Sequence, residues 1–341
     1  MKKIITVIIA ISMIAALFVG CAQKAVETPA ETPATTEEAV TPAPAPEKLK
    51  VAILLPGAAN DKGWNAVAVN GIKGLEKDLG AEISIAETVP ASDYEERFRG
   101  YANEGYKVIF AHGFEFQDAA NKVAKEFPNT YFIITSSDKF QDPNVAGFET
   151  NVDQAGYIAG MIAGLNTKTN KVFGIGAMDI PSIKGELEAY ARGAKAANPK
   201  VTAEIAYTGS FEDGAKAKEM ANAFYESGFD VGTFNADASG LGVLESAKSH
   251  DGAMIAGSVN NYNDEDPNIV VGSVSYSFDG SFKYIVEQII NGTFKPQAFL
   301  LGLNEGGVTF HPSANVANPE TNAIIEKAIA DIKAGTLDPT K

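Results

Sequence analysis

From Lys48 onward the chain alternates short, wholly apolar runs with stretches in which apolar residues recur every three or four positions. The runs Val51–Leu55, Ile83–Ile85, Val108–Phe110, Tyr131–Ile134 and Val145–Phe148 have the length and composition of buried strands. Amphipathic helices are expected between them, near Asn65–Leu79, Tyr94–Asn103 and Gln117–Glu126. The pattern then restarts. Strands at Lys171–Ile175, Val201–Tyr207, Phe229–Phe234 and Ala253–Gly257 alternate with helices at Ser182–Ala197, Gly214–Ser227 and Leu241–Ser249. Apolar strands separated by helices mean parallel sheets covered on both faces. The expected class is α/β, with two doubly wound parallel-sheet lobes, residues 48–150 and 151–259, joined by hinge strands. The helix Asn151–Leu165 lies where the chain first crosses between lobes. The strand Ile269–Ser273 and the helix Phe282–Ile290 are expected to return and complete the first lobe over about 260–290, with 291–341 packing across both.

The N-terminal pattern is different. Met1-Lys2-Lys3 is followed by an apolar run from Ile4 to Val19 and then Gly20-Cys21, the single cysteine of the chain. A basic start, a short apolar core and a small residue before a cysteine resemble a bacterial lipoprotein signal, with residues 1–20 removed and Cys21 lipidated. Phe18 departs from the Leu usual at the third position before the cysteine, although Leu17 is one step away. An uncleaved anchor or an unlipidated secretory signal is the alternative, and either reading exports the chain. Residues 21–47, built from Ala, Pro, Thr and Glu, hold almost nothing bulky to bury and read as a disordered tether of about 3 Å per residue where extended.

Charge narrows the function classes. The net charge is −15, with Lys and Arg interspersed rather than clustered, which argues against nucleic acid and against electrostatic binding to an anionic bilayer. With one cysteine, neither a CxxC redox site nor a thiolate zinc site is possible. The three histidines, His112, His250 and His311, lie far apart and in no metal-ligand spacing, so neither metal nor cofactor is expected.

In open α/β sheets ligands bind beyond the carboxyl ends of the strands, and two such sheets place a ligand between lobes. The loop after the first strand, Gly57 to Asn65, carries the only tryptophan, Trp64, in a polar setting at a helix start. The loop after the third strand begins His112-Gly113-Phe114, the seventh strand is followed by Gly209-Ser210-Phe211, and the eighth by Asn235-Ala236-Asp237-Ala238-Ser239-Gly240. Aromatic faces with a few hydrogen-bonding groups suit a planar polar ring such as a nucleobase. Each residue also has a plainer reading. Trp64 can seal a helix against its sheet, Asp61 can be no more than a helix cap, and Phe211 can lie in the core. Phe114 and Phe116 alternate, and Phe114 is assigned to the cleft.

Asn60-Asp61-Lys62-Gly63-Trp64-Asn65 resembles the DDxSFN-like loop of the basic membrane protein family, typified by purine nucleoside receptor A. Gly113-Phe114, Gly156-Tyr157-Ile158-Ala159-Gly160, Asn198-Pro199, Tyr207 to Asp213 and Gly302 to Val308 match as well, in the same order. The resemblance covers nearly everything from Lys48 onward. It implies a lipid-anchored protein of the type I periplasmic-binding-protein fold that delivers a solute to an ABC-transporter permease. It places the base-stacking aromatic on Trp64, with Asn65, Asn60 and Asp61 as polar neighbours. Phe114, beside Gly113, and Phe211 fall on the other aromatic positions, and Asp237, Ser239 and Gly240 on the loop that approaches the sugar. Two positions depart from the family. Its GVDxDQ segment reads Gly257-Ser258-Val259-Asn260-Asn261-Tyr262, and a family lysine is replaced by Tyr276, so that Asn261 and Tyr276 stand where a charged pair is usual. A neutral group hydrogen-bonds less strongly than a charged one.

The expected function is capture by two-lobe closure, without chemistry, of a small polar aromatic metabolite, a purine nucleoside or nucleobase, by a monomer held outside the cytoplasm. Three rivals are a surface ligand sensor feeding a membrane receptor, a binder of a flavin or sugar, and an enzyme such as a surface nucleosidase. For the last, no spacing marks a nucleophile with its base.

Overall fold

In the computed structural model, residues 48–61, 63–314, 316 and 318–341 are described. The expected signal (1–20), the lipidation site Cys21 and the tether (21–47) lie outside the described residues. The first sheet begins β1 (Lys50–Leu54), α1 (Trp64–Leu79), β2 (Glu82–Ala86), α2 (Tyr94–Asn103), β3 (Val108–Ala111), α3 (Gln117–Ala124), β4 (Tyr131–Thr135) and β5 (Val145–Thr150). The second lobe runs α4 (Val152–Asn166), β6 (Lys171–Gly176), α5 (Pro181–Ala197), β7 (Thr202–Tyr207), α6 (Gly214–Glu226), β8 (Val231–Asn235), α7 (Asp237–Ala247), β9 (Met254–Gly257) and β10 (Val270–Tyr276). Then come α8 (Phe278–Ile290), β11 (Ala298–Leu301), β12 (Val308–Pro312) and α9 (Pro319–Lys333).

Each lobe is a six-stranded sheet, ordered β11-β5-β4-β3-β1-β2 and β12-β10-β9-β8-β6-β7. All pairings are parallel except β10 with β12. The burial of β1, β3 and β4 along nearly their whole length is why they read as unbroken apolar runs. The expectation for the strand at Ile269–Ser273 is corrected. It does not return to the first lobe but, as β10, pairs with β9 and β12 in the second sheet. The return is made by α8, which packs on α1 and stacks Phe282 on Phe110 at 3.9 Å, and then by β11 beside β5. The C-terminal segment supplies one strand to each sheet, and α9 packs on α4.

The chain therefore crosses between lobes three times: from β5 into α4, from β10 into α8, and from β11 to β12. The crossings are tied side by side, with Asn151 N–H donating to the Leu301 carbonyl and Ser277 N–H to the Gly307 carbonyl, each at 2.9 Å. One apolar cluster runs from β1 and α1 through Phe278 and Phe282 to α4 and β10, so the hinge side is packed continuously. Within the second lobe α4 and α5 pack backbone to backbone. A Cβ at Gly160 would lie 1.9 Å from the Tyr190 carbonyl oxygen, which explains the Gly156-Gly160 spacing read in the sequence.

Candidate functional site

The carboxyl ends of both sheets carry the loops singled out above, and the lobes touch across them. Asp237 of the second lobe lies against Gly63 of the first, where a Cβ on Gly63 would come within 3.2 Å of Oδ1.

On the first lobe, Asp61 organises the start of α1. Its Oδ1 accepts from Gly63 N–H and Ala66 N–H at 2.9 Å, and its Oδ2 from Asn65 N–H at 3.0 Å and Asn65 Nδ2 at 2.7 Å. Burial works to raise its pKa, but these hydrogen bonds win and hold the carboxyl below its ordinary value. Its carboxylate is thus engaged as a helix cap. Asn65 is buried, with its Oδ1 unpartnered, while Asn60 is exposed.

Trp64 is half-buried. One ring face stacks on His112, with centroids 4.4 Å apart and planes at 25°, and Phe278 meets it edge-on at 5.2 Å. His112 is fully buried between two oxygens. Its Nε2–H donates to the Trp64 carbonyl at 3.1 Å, and its Nδ1 accepts from the Thr135 hydroxyl at 3.0 Å. Burial pushes its pKa down to about 3, so the imidazole is neutral and serves as a fixed brace beneath the indole. The sequence placed His112 in this loop without a role. Its partners are 48 and 23 residues away, so no local pattern marks it. Phe116 is in the core, stacked on Tyr94, while Phe114 is 70% exposed beside Gly113.

On the second lobe the expected loop Asp237–Gly240 is the first turn of α7. Glycine disfavours helix interiors by about 1 kcal/mol, which is why the sequence placed the helix start at Leu241. Tertiary packing overrides this, because a Cβ at Gly242 would lie 2.0 Å from the Gly214 carbonyl oxygen. The Ser239 hydroxyl is buried and donates to the carbonyls of Ala236 and Ser210, and Gly240 packs on the Phe234 ring. Both are thereby engaged inside the lobe. Asp237 opens the turn at a positive φ of 44°. Burial, with Asp61 across the cleft as the lesser cause, pushes its pKa up to about 6. Phe211 is partly exposed and accepts Ser239 N–H at its carbonyl. Asn261 is exposed, its side chain capping Asn263 N–H at 3.1 Å.

Tyr276 is buried, and its hydroxyl donates to Glu186 of α5, a carboxylate that sequence reasoning missed although it lies three after Ile183 and four before Tyr190, on the apolar stripe of its helix. This carboxyl is fully buried and also accepts from Ser258 Oγ and Asn235 Nδ2. Burial raises its pKa, opposed by the three hydrogen bonds. Among the described residues no group of three or more His, Cys, Asp or Glu is placed to hold a metal, and no helix is long and apolar enough to cross a membrane.

At the carboxyl ends of the two sheets, then, the first lobe carries an indole braced by a neutral imidazole and the second carries strand ends gathered on a buried carboxyl group. The family model described as ABC transporter substrate-binding protein, PnrA-like, matches residues 48–336. The chain belongs to this family. The ABC transporter nucleoside-binding protein BmpA of Lactococcus lactis is 35% identical over 206 residues, 59% of each chain. A purine-binding protein of Brucella abortus is 26% identical over 86% of this chain and 84% of its own. Among solved structures, an ABC transporter solute-binding protein from Conexibacter woesei superposes with a TM-score of 0.72 at 25% identity, covering 85% of this chain and 98% of that one. Members of this family bind solutes for ABC transporters rather than transform them, so the protein is a substrate-binding protein, not an enzyme. It works outside the cytoplasm with a small-molecule ligand and a permease as partners.

Proposed function

We propose that this substrate-binding protein captures a purine nucleoside or nucleobase and hands it to its permease, as a monomer tethered by a lipid on Cys21. The carrying observation is Trp64, held half-exposed by the stack on His112 and the edge contact of Phe278. A rigid indole gives a purine ring a stacking surface that is already ordered, so little conformational entropy is lost on binding. The names of the Lactococcus and Brucella relatives support the same ligand class. In this reading the first lobe takes the base and the second the sugar, and closure excludes water from both.

The test is the melting temperature of the full chain in detergent with adenosine, guanosine, inosine, uridine, their free bases, riboflavin and simple sugars. Ligand at a hundredfold excess over its Kd adds about 2.7 kcal/mol of stability. A shift with a purine compound that Trp64→Ala weakens by about 10- to 100-fold in affinity, the worth of one stacked base, is the expected result. A shift only with riboflavin or a sugar overturns the purine reading and leaves the transport role.

A further inference from the structure

A buried carboxyl group is costly, and an apolar residue of similar volume is often no less stable in its place. Glu186 nonetheless sits at 1% exposure, and among the described residues its partners are three neutral donors and no cation. The donors are not scattered. Asn235 ends β8, Ser258 follows β9 directly, and Tyr276 ends β10, three neighbouring strands of the second sheet. Glu186 therefore ties together three carboxyl ends at the cleft side of the lobe. The same place holds backbone strain. Val259 has a φ of 70°, a rare conformation for a β-branched residue, within a tight turn in which Asn260 N–H donates to the Ser258 carbonyl at 2.8 Å. The turn is closed from the other side by Tyr276 N–H, which donates to the Val259 carbonyl at 2.9 Å. The two residues that grip the strained one, Ser258 and Tyr276, are both held through their hydroxyls by Glu186.

We propose that Glu186 is a positioning residue that holds the ends of β8, β9 and β10, with the strained turn at Val259, as a ready-made acceptor surface for the hydroxyl groups of a nucleoside's sugar. The donor accounting sets the ligand class. The Ser258 and Tyr276 hydroxyl hydrogens are directed at Glu186, so each oxygen has only lone pairs left to offer. A ligand meeting this surface must bring donors. A neutral diol does so, whereas a phosphate ester brings acceptors and a charge of the same sign as the nearby Asp237. The surface thus selects an unphosphorylated nucleoside over both its free base and its nucleotide. This inference rests on the nucleoside reading above.

The experiment is calorimetric titration of the full chain in detergent with adenosine, guanosine and inosine, each against its free base and its 5′-monophosphate. The wild-type chain is expected to prefer a nucleoside over its base and its monophosphate by at least tenfold. Glu186→Gln should lose at least tenfold in nucleoside affinity while base affinity stays within about twofold, collapsing that preference. Tyr276→Phe, which keeps the ring, should lower the same ratio, and it is the deciding variant if Glu186→Gln does not fold. An unchanged nucleoside-to-base ratio in the folded variants, whatever their melting temperatures, overturns the positioning role alone. So does equal weakening of both ligands. A wild-type chain that binds none of these compounds overturns the nucleoside reading together with this one.

Discussion

The first lobe meets the cleft with Trp64 stacked on a neutral imidazole and with Asp61 fastened to the first turn of α1. The second meets it with Glu186 under three strand ends and Asp237 pressed toward Gly63. The sheets have the same strand order through their parallel part, yet these four ionisable groups are shifted by opposite balances. In the first lobe the charged form of Asp61 is held by hydrogen bonds and the neutral form of His112 by burial, so both pKa values fall. In the second lobe burial raises both Glu186 and Asp237. The lesson is one of linkage. The stability from His112 and Asp61 is complete at high pH and lost as pH falls, whereas that from Glu186 and Asp237 is complete in acid and lost as pH rises. Similar topology thus presents to the cleft pairs of groups that respond to protons in opposite directions.

The largest effect expected from this contrast is an ordered acid opening. His112 binds no proton in the fold until about pH 3, while an unfolded chain takes one up near 6.5. The first lobe should therefore lose on the order of several kcal/mol between those values. Hydrogen exchange should show β3 and β4 opening before β8 and β9 as pH falls. Replacing His112→Gln should flatten that dependence, and exchange that begins in the second lobe would break the comparison.

A smaller effect tests the opposite sign. Asp237 contributes fully below about pH 3.8 and progressively less as pH rises through about 6. Asp237→Asn should raise stability by about 1–2 kcal/mol at pH 7.5 and change little at pH 4. Melting curves at the two pH values check this, and an equal shift at both would remove Asp237 from the contrast.

The smallest effect sharpens the role of Asp61. Asp61→Ala removes a helix cap and should cost about 1 kcal/mol. Because Trp64 stands in the turn that Asp61 holds and is the only tryptophan, its fluorescence should shift to longer wavelength as the turn loosens. Emission unchanged from the wild-type chain would mean that His112 and Phe278 alone fix the indole.

Most strands and helices were legible because each is a local pattern. β3, for instance, is an apolar run with no residue exposed, and α2 was placed at its observed bounds, Tyr94–Asn103. The exceptions are instructive. β11 alternates exposed and buried positions over four residues, too short for the pattern to stand out, and β12 is only partly buried. The start of α7 was misplaced because its glycines signal a loop until the backbone of α6 is seen against them. In the site, Trp64 and the loop around it were visible as an unusual residue in an unusual place. Whether Asp61 was cap or ligand contact stayed open until its hydrogen bonds were seen.

The sequence by itself determined the two α/β lobes, the family and which loops follow the carboxyl ends of the strands, because periodicity, turn residues and motifs are written within a few positions of one another. Only the tertiary structure decided that β10 stays in the second sheet, that His112 braces Trp64, and that Glu186 gathers Asn235, Ser258 and Tyr276. The physical reason is distance along the chain. Glu186 lies 49, 72 and 90 residues from its partners; its spacing three after Ile183 and four before Tyr190 sets it on the buried stripe of α5, but nothing local names the groups it meets there. Burial, which makes that carboxyl unusual, exists only once the sheet and helix have met.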